Sequence, residues 1–125
     1  MVCLLDTCIL IDYLRGHDGA ARFLEELAEP PAISSITIME LVAGARGHRE
    51  EEELLRLFSV LAIKDVDQTI AETAGAYLNR YRKSHAIDPQ DAIIAATADF
   101  LGIELATLNL KHFPMFVKLE RPYPP

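Results

Sequence analysis

The sequence has few cysteines and no long apolar runs. Its two cysteines, Cys3 and Cys8, are spaced C-x4-C, which is weak evidence for a zinc site without further cysteines. Both lie among apolar residues, which indicates reduced thiols in a core. No apolar run approaches the roughly 18 to 20 residues of a membrane-spanning helix, and Met1 leads into an apolar segment without the charged start of a signal peptide. These absences predict a cytoplasmic protein without a membrane segment.

Basic charge is also scarce. The chain has 12 lysine and arginine residues against 19 acidic residues, a formal net charge of −7 at pH 7. Domains that bind nucleic acid by bulk attraction usually carry a basic face. Seven of the acids, however, lie at residues 25–29 and 50–53, so a locally basic surface is compatible with the rest of the chain. The residues that could form such a basic surface are Arg80, Arg82, Lys83 and Lys111. Basic residues in these positions are also typical of solvated helix ends.

The apolar pattern predicts one α/β domain over residues 1–125. Strands alternating with helices indicate a central, mostly parallel sheet of four to five short strands with right-handed crossovers and helices on both faces. We predict strands at 2–6, 32–34, 60–63, 104–107 and 116–119. We predict helices from 7 to 16, from 18 to 28, from 35 or 37 to 44, from 48 to 58, from 67 to 83 and from 88 to 101. In the helix from 48 to 58 we expect Leu54, Leu55 and Phe58 to face the core, and we expect the Pro-Tyr-Pro-Pro tail to be loose.

Three acidic residues stand near the starts of helices that follow strands. Asp6 ends the first apolar run, Glu40 lies in the first turns of a helix, and Asp91 opens the alanine-rich helix. Because strand ends and the helix starts that follow them share one edge of a parallel sheet, these carboxylates could point into a common cleft. Thr107 and Asn109 follow a later strand and would join the same edge.

Each acid also has an ordinary structural explanation. Asp6 could cap the helix that follows it, as Thr7 could. Glu40 could be a first-turn acid favoured by the helix dipole. Asp88 and Asp91 resemble a capping box, although Glu or Gln is its usual third-position residue. Taken one at a time, these residues do not require a functional role.

Taken together, the acids predict a metal site. Neighbouring carboxylates repel one another and bind protons more tightly unless a cation neutralises them. Oxygen ligands completed by water suit Mg²⁺, with Mn²⁺ as a substitute, better than zinc. Such an ion activates water for phosphodiester hydrolysis and links an acidic pocket to an anionic backbone. The scattered histidines, which we predict to be surface residues, are His17, His48, His85 and His112.

Four segments carry a more specific signal. They are Leu4-Leu5-Asp6-Thr7, the stretch 34–41, Asp-Ala-Ile-Ile-Ala-Ala-Thr-Ala at 91–98, and Thr-x-Asn-x-x-His-Phe at 107–113. In this order they resemble the PIN-domain family, most closely the VapC-type toxins of toxin–antitoxin pairs, over essentially the whole chain. The resemblance implies a PIN-like three-layer fold and an enzyme, a Mg²⁺-dependent endoribonuclease that is the toxin of a type II toxin–antitoxin system.

The resemblance also implies roles for individual residues. Asp6, Glu40 and Asp91 match the regular acidic positions of the family, so we expect them to be catalytic and to hold the metal. Asn109 stands where the family often has a fourth acid; we expect it in the catalytic site, and it leaves open whether one ion or two are held. Thr7 and Thr107 are expected to support the metal ligands through their hydroxyl groups.

The implied partners are an RNA substrate, a cognate antitoxin protein and a second copy of the chain in a homodimer. The antitoxin groove would lie near Ile11, Leu14 and Leu41, although ordinary core packing also explains these side chains and is the favoured explanation. The RNA that is cut and the identity of the antitoxin cannot be read from the sequence.

Two other interpretations remain at this stage. The first is a catalytically weak or inactive PIN-like domain that binds RNA or protein, and Asn109 is its support. The second is a phosphatase-like fold with Asp6 as a covalent nucleophile. It is disfavoured because Cys8 stands where such enzymes usually have a second aspartate.

Overall fold

The computed structural model describes residues 2–125 and contains a four-stranded sheet in the order β3-β2-β1-β4. All three strand pairs are parallel. The strands are short and follow the predicted positions closely. Their bounds are β1 Cys3–Leu5, β2 Ala32–Ser34, β3 Ala62–Lys64 and β4 Glu104–Ala106. This confirms the predicted α/β fold with a parallel sheet.

Six α-helices connect and cover the strands. They are α1 Thr7–Leu14, α2 Asp18–Glu25, α3 Ser35–Ala43, α4 Gly47–Phe58, α5 Gln68–His85 and α6 Pro89–Leu101, and a short 3₁₀ helix follows at Leu110–His112. The N-terminal ends of α5 and α6 are set by aspartates that accept hydrogen bonds from backbone N–H groups: Asp67 from Ile70 and Asp88 from Asp91. No helix within residues 2–125 is both long enough and apolar enough to cross a membrane.

Alternate residues of the strands pack against helices on opposite faces of the sheet. On one face, strand residues join buried side chains of α1, α2, α3 and α4. On the other face they pack against α6, which in turn packs along α5. The first set of strand residues is Leu5, Ile33 and Ala106, and the second is Leu4, Ala32 and Leu105. The sheet is therefore the middle layer of three.

The strand order places a topological switch point between β1 and β4. From β1 the chain adds β2 and then β3 on one side, and it returns to add β4 on the other side. In open α/β sheets, ligands bind in the crevice beyond the carboxyl ends of the strands at such a point. Asp6 directly follows β1 and Thr107 directly follows β4.

Three details of the predicted fold are wrong. Residues 116–119 form turns rather than a strand: the Phe116 N–H bonds back to the Phe113 carbonyl, and Val117 is 93% exposed. Leu55 of α4 is also exposed, because only the face of the helix that carries Leu54 packs against the core. The tail is not loose at Tyr123, which is buried. Its ring centre lies 5.1 Å from that of His17, and its hydroxyl donates a hydrogen bond to Asp12 Oδ2 at 2.8 Å.

The end of α5 provides a test of backbone strain. Ala86 has a positive φ of 51° at the C-cap, a conformation that costs an L-residue roughly 1 to 2 kcal/mol. We predict that Ala86→Gly raises the free energy of unfolding by about 0.5 to 1 kcal/mol in urea titrations followed by circular dichroism. The same replacement at the exposed mid-helix residue Ala76 should lower it by a similar amount. Shifts of equal sign in the two variants would contradict this explanation.

Candidate active site

Asp6 is fixed at the switch point by its own backbone. Its N–H donates to the Ala106 carbonyl at 2.9 Å, which extends the pairing of β1 with β4 by one residue. Asp6 is also the N-cap of α1, and its Oδ1 accepts the Thr7 N–H at 2.8 Å. The capping role that the sequence suggested for Asp6 therefore exists, whereas Thr7 is the first residue of the helix rather than its cap.

The second oxygen of the Asp6 carboxylate is held from β4. Thr107 Oγ1 donates to Asp6 Oδ2 at 2.6 Å, and the Cys8 thiol donates to the same oxygen at 3.4 Å. Thr107 is fully buried and also accepts the Asn109 N–H at 3.0 Å. Because burial and the neighbouring Asp6 charge raise the pKa of Cys8 to about 12, this thiol stays protonated as a donor. Asp6 is thus oriented by donors on both oxygens.

Glu40 is connected to Asp6 through Thr7, which is itself supported by a second threonine. Thr7 Oγ1 donates to Glu40 Oε1 at 2.7 Å and lies 2.9 Å from Thr37 Oγ1. Since the Thr7 proton is used by Glu40, Thr37 is the donor of the second bond. Thr37 is fully buried and precedes Glu40 by one turn of α3, so both side chains lie on one face of the helix. Thr7 thus joins α1 to the Glu40 carboxylate.

Asp91 is held at the start of α6. Its N–H donates to Asp88 Oδ1 at 2.8 Å, and its own Oδ2 accepts the Asp88 N–H at 3.4 Å, which completes the predicted capping box. The His112 Nδ1 also lies 3.2 Å from Asp91 Oδ2. His112 is half-exposed, as predicted for a surface residue, but its ring is placed against a buried carboxylate, a contact that the sequence did not predict.

Asn109 lies at the edge of this network. It is exposed and precedes the 3₁₀ helix, and its backbone N–H bonds to Thr107. Within residues 2–125 its side chain has no hydrogen bond to the Asp6, Glu40 or Asp91 carboxylates. Of the four residues expected in the catalytic site, Asp6 and Glu40 are joined by hydrogen bonds from Thr7. Asp91 is near enough for the Asp6 charge to raise its pKa, and Asn109 is connected to Thr107 by its backbone.

The three acids share one electrostatic environment. Burial raises the pKa of Asp6, and hydrogen bonds from Thr107, Cys8 and Thr7 oppose that rise. Burial, then repulsion from Asp88, raises the pKa of Asp91 to about 7. Burial also raises the pKa of Glu40, and the Asp6 charge adds to the rise at both Glu40 and Asp91. A cation at this edge would relieve all three carboxylates at once.

The donor set fits a hard divalent cation in its chemistry. Among residues 2–125 no three His, Cys, Asp or Glu side chains are close enough together to hold one ion directly. Mg²⁺, however, usually binds through one or two carboxylates and keeps several waters. Asp91 Oδ1 and Glu40 Oε2 accept no hydrogen bond from the described residues, so their lone pairs are available to such an ion.

Three contributors to this network were not assigned a role from the sequence. Cys8 contacts Asp6, Thr37 contacts Thr7, and His112 contacts Asp91. Two of them had a usable signal: Thr37 precedes Glu40 by one helical turn, and His112 lies within the Thr-x-Asn-x-x-His-Phe stretch. Cys8 had none, because a thiol two residues after Asp6 among apolar side chains is typical of a core residue.

The chain is similar to known proteins over nearly its whole length. The PIN domain model matches residues 3–114. Ribonuclease VapC19 of Mycobacterium tuberculosis is 43% identical over 127 residues, which cover 96% of this chain and 98% of the relative. Ribonuclease VapC10 of the same organism is 41% identical over 123 residues, which cover 96% and 92%.

Solved structures are also similar to this chain over most of its length. A toxin–antitoxin complex from Klebsiella pneumoniae contains a chain that superimposes with a TM-score of 0.83 at 36% identity, covering 97% of this chain and 98% of that one. VapBC2 from Rickettsia felis, bound to a DNA fragment from its promoter, gives a TM-score of 0.74 at 28% identity, with 93% of each chain covered.

The raised pKa values predict how stability depends on pH in the metal-free protein. Because these acids bind protons more tightly in the folded state than in the unfolded chain, stability is lost as pH rises from about 4 through the folded pKa of Asp91, about 7. Asp91→Asn removes one of these charges. We subtract the melting temperature of the wild type from that of Asp91→Asn, both measured with chelator. This difference should be at least about 4 °C larger at pH 8 than at pH 5, which corresponds to about 1 kcal/mol. A difference that stays constant with pH would contradict the assignment.

Proposed function

This chain belongs to the PIN-domain family, and we propose that it is a metal-dependent endoribonuclease, the toxin of a toxin–antitoxin pair. The observation that carries the proposal is the acidic site at the switch point, where Thr107 and Thr7 hold the Asp6 carboxylate and Thr7 also holds Glu40. Relatives that align over nearly their whole length are named ribonucleases, and the matching structures include toxin–antitoxin complexes.

Asp6, Glu40 and Asp91 would hold the divalent ion, one or two of them through a carboxylate oxygen directly and the others through water that completes its shell. When bound, Mg²⁺ or Mn²⁺ supplies an activated water and neutralises charge on the phosphodiester. The chain's own contribution is orientation. Thr107 and the Thr7 N–H fix the two oxygens of Asp6, and the Thr7 hydroxyl fixes one oxygen of Glu40. These ligands are therefore positioned before the ion or the RNA arrives.

A basic stretch beside the site supports RNA as the substrate. The chain has no acid between Glu72 and Asp88, and α5 ends at His85, three residues before Asp88. Arg80 lies with its guanidinium carbon 5.2 Å from the centre of the Tyr81 ring. Cations here can contact phosphates despite the net charge of −7. The exposed basic residues of this stretch are Arg80, Arg82 and Lys83.

A groove that adjoins the site supports an antitoxin partner. It encloses about 450 Å³, and its lining includes the three residues expected there, Ile11, Leu14 and Leu41. Glu40 lines the same groove, so an apolar segment lying in it would end next to the acidic site. A basic side chain at that end would complement the Glu40 charge. This arrangement supports inhibition by occupation of the site.

An exposed apolar pair on α3 supports the homodimer. Met39 and Val42 are each 51% exposed and lie one helical turn apart. On α5, in contrast, the apolar residues Ile70 and Ala74 are buried, because they pack in one cluster with α6. We therefore place the contact between two copies on α3.

The proposal predicts metal-dependent RNA cleavage. Asp6→Asn and Asp91→Asn should each lower the cleavage rate of structured RNAs by at least about 100-fold. Each variant removes a charge that would hold the ion, and the ion stabilises the transition state by several kcal/mol. The amide oxygen of asparagine can still accept the backbone N–H that Asp6 or Asp91 accepts, so both variants should fold. Asp99→Asn, at an exposed residue of the same helix as Asp91, is the control and should cleave normally. Cleavage that persists in chelator, or in both folded variants, would contradict the mechanism.

If the antitoxin binds in this groove, a substitution there should weaken antitoxin binding without lowering RNA cleavage. Leu14→Glu places a charge in the apolar lining at a residue that is 37% exposed, so the fold should tolerate it. On co-expression with the protein encoded by the adjacent reading frame, we expect at least about 10-fold weaker association, which is about 1.4 kcal/mol, with RNA cleavage retained. Val117→Glu, at a 93% exposed residue outside the groove, should change neither. Undiminished association of Leu14→Glu would place the partner elsewhere.

A further inference from the structure

His112 contacts the acidic site but has no role in the proposed reaction. Its Nδ1 lies 3.2 Å from Asp91 Oδ2, although the two residues are 21 positions apart and belong to different elements. The Asp91 side chain is 12% exposed and the His112 side chain 44% exposed. This pair therefore differs from the pair of His48 with Glu51 on α4, where the histidine side chain is 98% exposed.

The backbone that carries the His112 ring is held in place by the turn around it. The His112 N–H donates to the Asn109 carbonyl at 3.0 Å, and the Phe113 N–H donates to the Leu110 carbonyl at 3.2 Å. Phe113 is buried between the sheet and α6 and anchors the turn. The same short segment thus supplies Thr107 to Asp6 and His112 to Asp91, so it supports two of the acids at once.

The contact selects one oxygen of the Asp91 carboxylate. Both His112 Nδ1 and the Asp88 N–H lie against Oδ2, at 3.2 and 3.4 Å. Oδ1 accepts no hydrogen bond from the described residues. With Oδ2 held from two directions, rotation of the carboxylate is restricted and Oδ1 is presented as the free ligand atom.

We propose that His112 is a positioning residue, whose Nδ1–H holds Asp91 Oδ2 so that Oδ1 is oriented to bind the divalent cation. This inference rests on the proposed metal-dependent function. A hydrogen-bonding partner that orients a metal ligand typically changes metal affinity 10- to 100-fold when it is removed. The residue acts on the affinity of the site for its ion and does not need to touch the RNA.

Side-chain amides allow the position of the donor to be tested. In His112→Asn the amide nitrogen stands close to where Nδ1 is in histidine, whereas in His112→Gln it stands closer to Nε2. We expect His112→Ala and His112→Gln to weaken Mn²⁺ binding by about 10- to 100-fold, measured by electron paramagnetic resonance of free Mn²⁺ on protein without RNA. His112→Asn should recover most of the affinity, and His48→Ala should bind Mn²⁺ as the wild type does.

Cleavage assays provide the second measurement. If His112 only orients Asp91, the metal concentration for half-maximal cleavage should rise in His112→Ala and His112→Gln, while the rate at saturating metal stays within a few fold of the wild type. Wild-type Mn²⁺ affinity in His112→Ala, or equal loss in the Asn and Gln variants, would overturn the inference. Absence of Mn²⁺ binding by the wild-type protein would instead overturn the proposed function.

Discussion

Burial of negative charge at one edge of the sheet is the constraint on which this structure depends. Asp6 and Asp91 are 5% and 8% exposed, and burying an ionised carboxylate is costly unless it is paired or hydrogen-bonded. The fold meets that cost with the Thr107 hydroxyl, helix N-termini and His112. Within residues 2–125 no buried side-chain oxygen or nitrogen lacks a hydrogen-bond partner. The remaining repulsion between the acids is what a divalent cation would relieve.

The structural and functional explanations of these acids turn out to be compatible. Asp6 caps α1, and Asp91 completes the capping box of α6. A cap fixes the carboxylate relative to the start of its helix, which is also what a metal ligand requires. Asn109 is joined to the same site through its backbone, because its N–H donates to Thr107, which in turn holds Asp6.

The sequence could predict what depends on local patterns. Short apolar runs gave the four strands, and Asp88 followed by Pro89 marked the start of α6. Contacts set by tertiary pairing were not accessible. Thr107 meets Asp6 across 101 positions because Leu5 pairs with Ala106, and Tyr123 is buried because it reaches Asp12 and His17. The apolar residues at 116–119 gave a false strand because the turn after Phe113 leads the chain away from pairing.

The proposed reaction depends on a divalent ion bound at the acidic edge between β1 and β4. The anomalous diffraction signal of Mn²⁺ in crystals of the protein grown or soaked with that ion would locate it. We expect one peak bounded by carboxylate oxygens of Asp6 and Asp91, at about 2.0 to 2.3 Å as is usual for small divalent ions, with Glu40 bound through water. A peak elsewhere, with this edge empty at a Mn²⁺ concentration that supports RNA cleavage, would contradict it.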